Sequence, residues 1–88
     1  MNHRHRKVLH ALFAHPVSAN IAPRAVESVI KELGGEIDQR HGGRVGLHLS
    51  GHFVEIAHDS HSLKPAHVQQ IRKFLESAGI DPGRDYPL

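Results

Sequence analysis

Apolar positions along the 88-residue chain change period twice, and those changes predict its elements. Val8, Leu9, Leu12 and Phe13 lie at helical spacing, which predicts a short helix over Lys7 to His15. Pro16 stops it, because a residue preceding proline is disfavoured in the helical region. The run Asn2-His3-Arg4-His5-Arg6-Lys7 ahead of it is expected to fray. After a connector over 17–22, Val26, Val29, Ile30 and Leu33 follow the i, i+3, i+4, i+7 pattern of a half-buried helix. Pro23 suits its first position, where the missing N–H costs nothing. Gly34 and Gly35 end it by accepting the left-handed cap conformation.

The period then falls to two. Glu36 to Arg40 reads as a weak first strand, with Ile37 its clear apolar residue, and His41-Gly42-Gly43 as a turn. Arg44 to Leu49 alternates, with Val45, Leu47 and Leu49 on one face and Arg44, Gly46 and His48 on the other. Ser50-Gly51 predicts a tight hairpin, and His52 to Ala57 returns as the third strand. With two loop residues, Leu47 falls opposite Val54 and Val45 opposite Ile56. The other face then carries Arg44, His48, Phe53, Glu55 and Ala57.

A polar loop over 58–64 leads to a last helix from Pro65. Val68, Ile71, Phe74, Leu75 and Ala78 face inward there, and Gly79 caps it. Residues 81–88 read as a tail. The expected fold is α+β, with helices on one face of a three-stranded antiparallel sheet in the order α-α-β-β-β-α. One domain is expected over residues 1–88: an N-terminal extension over 1–16, a core over 17–80 and the tail. The expected core holds Val26, Val29, Ile30, Leu33, Val45, Leu47, Val54, Ile56, Val68, Ile71, Phe74 and Leu75.

Composition adds a bias of sign. The formal net charge is +2, and ten histidines raise it further as pH falls. That favours a polyanionic partner such as nucleic acid. Cysteine is absent, so no disulfide or thiolate metal site supports the chain, which suits a reducing cytoplasm. No apolar run reaches the length of a membrane span, so no membrane partner is expected. Aromatics are few. Phe53 alone is a candidate for stacking on a base, but covering by the N-terminal segment is the expectation, which disfavours single-strand recognition through an aromatic platform.

Several motifs in a fixed order carry a family resemblance. These are Leu33-Gly34-Gly35-Glu36-Ile37, His41-Gly42-Gly43-Arg44-Val45, Leu63-Lys64-Pro65-Ala66-His67-Val68, and Ile71-Arg72-Lys73-Phe74-Leu75-Glu76-Ser77-Ala78-Gly79-Ile80. Together they make the stretch from Pro23 to Ile80 resemble the HicA toxins, mRNA interferases with a double-stranded-RNA-binding type of fold. The resemblance implies RNA as substrate and a HicB-type antitoxin as protein partner. The family's catalytic histidine stands at the start of the second strand, where this chain has Arg44. Arginine stays protonated and cannot act as a general base, although it can grip a phosphate with a bidentate fork.

Metal-independent RNA cleavage needs proton transfer, and His48, on the same strand face as Arg44, is the best substitute. His58 and His61 in the polar loop are further catalytic candidates. Arg44, Arg40 and Lys64 are the phosphate candidates, Lys64 because a helix N-terminus attracts anions. His58, His61, Asp59 and His67 lack the compact spacing of an accepted zinc motif, so no metal and no other cofactor is expected. The alternative is a non-catalytic RNA-binding or protein-interaction module of the same fold, which Arg44 in place of histidine favours.

Overall fold

The structure is a computed structural model that describes residues 1–57 and 62–88. Its elements run α1 (His3–Leu12), α2 (Pro23–Glu32), β1 (Glu36–Arg40), β2 (Arg44–Leu49), β3 (His52–Ala57), α3 (Pro65–Ser77) and a short α4 (Pro82–Asp85). The architecture is α+β, and the helix and strand order of the expectation is observed with α4 appended. The loop histidines His58 and His61 lie outside the described residues.

The sheet has the order β1-β2-β3, antiparallel throughout. Leu47 pairs with Val54 and Val45 with Ile56, as period-two counting through the hairpin requires. Ser50 and Gly51 both adopt positive φ, 51° and 80°, the geometry of a turn whose twist matches that of the strands it joins. Val45, Leu47 and Ile56 are buried, Leu49 joins them, and Val54 is half-buried near the sheet edge.

Against this inner face pack α2, through Val26, Val29 and Ile30, and α3, through Val68, Ile71, Phe74 and Leu75. Leu33 is half-buried at the end of α2. Gly34, at φ +92°, reverses the chain there, and the Gly35 N–H donates to the Ile30 carbonyl at 2.8 Å.

Three expectations outside the sheet are corrected. The basic N-terminal run is helical, because the Asn2 side chain accepts from the His5 N–H at 2.8 Å and caps α1, which begins at His3, four residues before Lys7. Glu32 balances part of its positive charge, bonding His5 at 2.5 Å and lying 3.6 Å from the terminal amine. Helix α1 ends at Leu12, three residues short of the expected His15, as the Phe13 N–H tightens onto the His10 carbonyl. Leu9 and Leu12 are fully buried, so this helix belongs to the core. It packs on α2, α3 and α4, which puts it on the helical layer, remote from the open sheet face. The tail forms α4, held where the His10 ring meets the Tyr86 carbonyl at 2.8 Å.

Candidate functional site

Alternation that buries Val45 and Leu47 turns Arg44, Gly46 and His48 outward. The β1–β2 register adds three neighbours, since Glu36 pairs with His48, Asp38 with Gly46 and Arg40 with Arg44. From β3, Phe53 pairs with His48, Glu55 with Gly46 and Ala57 with Arg44. Nine residues from three strands thus share one face, and Gly46 lies at its middle.

Their side chains form a continuous network. His48 Nε2 meets Asp38 Oδ2 at 2.5 Å. Asp38 Oδ1 accepts from Arg40 Nε at 2.8 Å. The Arg40 guanidinium also lies 3.8 Å from Glu55, which accepts from Arg44 at 2.7 Å. Phe53 stands between the two basic groups, its ring centroid 4.9 Å from that of His48 and 4.6 Å from the Arg40 guanidinium carbon.

Gly46 is what lets these groups lie down on the sheet. A Cβ there would stand 2.7 Å from Asp38 Oδ1, 2.8 Å from Arg40 Nε and 2.8 Å from Phe53 Cε2. All three are tips of side chains folded across the bare backbone.

The electrostatics follow from the contacts. Asp38 is held below its ordinary carboxylate pKa, first by the His48 hydrogen bond and then by that from Arg40. It is therefore ionised near neutrality and accepts from His48 Nε2, so that in a neutral ring Nδ1 is the acceptor. That nitrogen has no hydrogen-bond partner among the described residues. The arrangement can hold an imidazole in one orientation and one tautomer.

The sequence-derived candidates separate into groups. His48 and Arg40 share Asp38. Arg44 lies at the far end of the network, four residues along β2 from His48, or roughly 13 Å at strand rise. Among the described residues it pairs with Glu55, and its side chain is 64% exposed. Lys64 is exposed at the cap of α3, with no ion pair among the described residues. His67, half-buried in the first turn of α3, lines a small cleft of about 100 Å³ with Arg44, Glu55 and Ala57. No group of three metal-ligating side chains occurs among the described residues.

Phe53 corrects an expectation. With α1 on the helical layer the N-terminal segment does not cover the ring, which is 48% exposed and has the Arg40 guanidinium over one face. Sequence reasoning also passed over Asp38 and gave no task to Glu55 or Gly46. The signal for Asp38 was present: counting back from Arg44 through the three-residue turn places it opposite Gly46, on the face of His48.

Among the described residues, positive charge without a carboxylate partner lies elsewhere, on Arg4, Lys7, Arg24 and Lys31 of α1 and α2, on Lys64 at the cap of α3 and on Lys73 within it. The open sheet face itself is nearly charge-balanced. No helix among the described residues is long and apolar enough to cross a membrane. Comparison with protein-family models, curated proteins and solved structures finds no match for the chain.

Proposed function

We propose that this chain is an RNA-binding protein that cleaves RNA without a metal, as a HicA-like toxin component restrained by a HicB-type antitoxin. The observation that carries the reading is the His48–Asp38–Arg40 cluster on an uncovered sheet face. An oriented imidazole beside a guanidinium is the pair that intramolecular transesterification of RNA requires. His48 Nδ1 takes the proton of a ribose 2′-hydroxyl, and the freed oxygen attacks the adjacent phosphorus. The bond to the 5′-oxygen breaks, and that oxygen takes a proton from solvent. The products are a 2′,3′-cyclic phosphate and a 5′-hydroxyl end. In this reading Arg40, which shares Asp38 with His48, takes the reacting phosphate, and Arg44 a neighbouring one. The antitoxin rests on the motif resemblance and on the shared order of helix, three strands and helix.

Incubation of single-stranded RNA with the chain in the presence of a chelator tests this. Cyclic-phosphate ends are expected, and they should disappear with His48→Ala while binding persists. Failure to bind RNA at low salt would overturn the reading altogether.

A second reading has its own observation. Both outer arginines are already tied to carboxylates, Arg40 to Asp38 and Arg44 to Glu55, which suits a face that binds without reacting. RNA binding with no cleavage would select that non-catalytic module.

A further inference from the structure

Exposed aromatic rings on a small protein are usually isolated accidents of surface composition. Phe53 differs in three respects. It is the one aromatic residue in the exposed class among the described residues. Its ring edge reaches over Gly46, where a Cβ would stand 2.8 Å from it, so the absence of a side chain lets the ring lie across the sheet. A planar cation, the Arg40 guanidinium, already lies 4.6 Å from its centroid.

A second feature adjoins the ring. Phe53 borders a cleft of about 300 Å³ between β3 and α3, whose polar lining includes His52, Gln70 and Lys73. Lys73 is exposed and pairs with no carboxylate among the described residues. Stacking surface, amide and free cation therefore stand side by side across the edge of the sheet.

We propose that Phe53 is a stacking platform for an unpaired RNA base, with the adjoining cleft taking the next stretch of backbone at Lys73. The inference rests on the RNA-binding reading and adds to it the kind of RNA, single-stranded. A base inside a duplex offers no open π-face, whereas an unpaired base stacks on an aromatic side chain or an arginine plane whatever its identity. Lys73 supplies a phosphate contact, and Gln70 lies within the same cleft to meet a base edge. The open half of the ring and the guanidinium beside it make one continuous surface for the base.

The chain contains no tryptophan, so a Phe53→Trp variant carries a fluorophore at the platform alone. Binding is measured with a short 2′-O-methyl oligouridine, which resists cleavage, both alone and annealed to oligoadenosine. The unmodified chain should prefer the single strand. Phe53→Leu, which keeps an apolar side chain but no π-face, should weaken single-strand binding about 5- to 150-fold and leave duplex binding unchanged. Phe53→Trp should retain affinity, and its emission should be quenched by the single strand. Urea denaturation checks that each variant is folded. Equal affinity for both forms, or full affinity in Phe53→Leu, would discard the platform and leave RNA binding standing. No binding to either form would overturn the RNA-binding reading and the platform with it.

Discussion

The two faces of the sheet use the same three strands and consecutive residues, yet different physics holds each together. On the inner face Val45 and Leu47 are wholly removed from water. Burying a side chain of that size contributes about 1.5–3 kcal/mol. On the outer face Asp38, Arg40, His48 and Arg44 keep 41–64% of their side chains exposed. Exposed ion pairs contribute a median of about 0–1 kcal/mol, because solvent screens them and ordering long side chains costs entropy. Cohesion lies on one side of the strands and an exposed polar network on the other. The outer face can therefore be rebuilt residue by residue without unfolding the chain that presents it.

The largest expected effect breaks that comparison from the inside. Leu47→Ala removes a side chain of zero exposure and should cost about 2–5 kcal/mol in urea denaturation. Arg44→Ala, on the same strand but 64% exposed, should stay within about 0.5 kcal/mol. Comparable losses from the two would mean that the outer network is structural. In catalysis the order reverses. His48→Ala should lower the cleavage rate by about 10²–10⁴ with little change in denaturation midpoint. Arg44→Ala should weaken RNA binding and rate together, since a phosphate grip acts on bound substrate and transition state alike.

Two glycines sharpen the contrast at smaller scale. A Cβ at Gly35 would stand 2.4 Å from the His48 carbonyl oxygen and 2.6 Å from Ile30 Cγ2, so backbone must move. Gly35→Ala should cost about 1–3 kcal/mol, the usual penalty of overpacking. At Gly46 the obstacles are three side-chain tips, which can swing aside, and a β-branched residue favours strand geometry. Gly46→Val should therefore change stability by no more than about 1 kcal/mol while lifting Asp38, Arg40 and Phe53 off the sheet. RNA affinity should fall in a protein that remains folded. Near-native affinity would show that the arrangement over Gly46 is dispensable.

This difference also decides how much could be read from residues alone. The inner face was legible because burial imposes alternation: Val45, Leu47, Leu49, Val54 and Ile56 are apolar at every second position, and the two-residue hairpin fixes their register. Pro23 and Pro65 marked helix starts because their ring geometry fits only there. The outer face obeys no such rule. Arg44 and His48 stood out by type, but Asp38 belongs with His48 only through the β1–β2 register, and the apolar signal of β1 rests on Ile37 alone. The exposure of Phe53 depended on where α1 packs. That is set by Leu9 and Leu12 finding the helical layer, a tertiary choice that spacing within α1 does not reveal. Asn2 as a cap was visible in principle, but the density of positive charge after it argued for fraying, and Glu32, which offsets that charge, comes from another helix.

The smallest expected effect concerns pH, and it belongs to the outer face because the apolar inner side chains do not titrate. Asp38 has its pKa lowered from the ordinary 3.8 by hydrogen bonds from His48 and then Arg40. A carboxylate whose folded pKa lies below its unfolded value stabilises the fold above that unfolded value. The contribution is lost as pH falls through the depressed folded value. Near neutrality it is fully present; well into acid, with Asp38 protonated in both states, it is gone. Glu32 and Asp85, also lowered, lose theirs in acid too, so the wild-type curve alone does not isolate Asp38. The difference between wild type and Asp38→Asn does, because the other carboxylates are common to both. That difference in urea midpoint should be small at neutral pH, since the side chain is 43% exposed, and smaller still in high salt. It should shrink towards zero as pH drops below 3.8. A difference that grew in acid would mean that protonated Asp38 is the stabilising form, and the carboxylate assigned to orient His48 would be the wrong one.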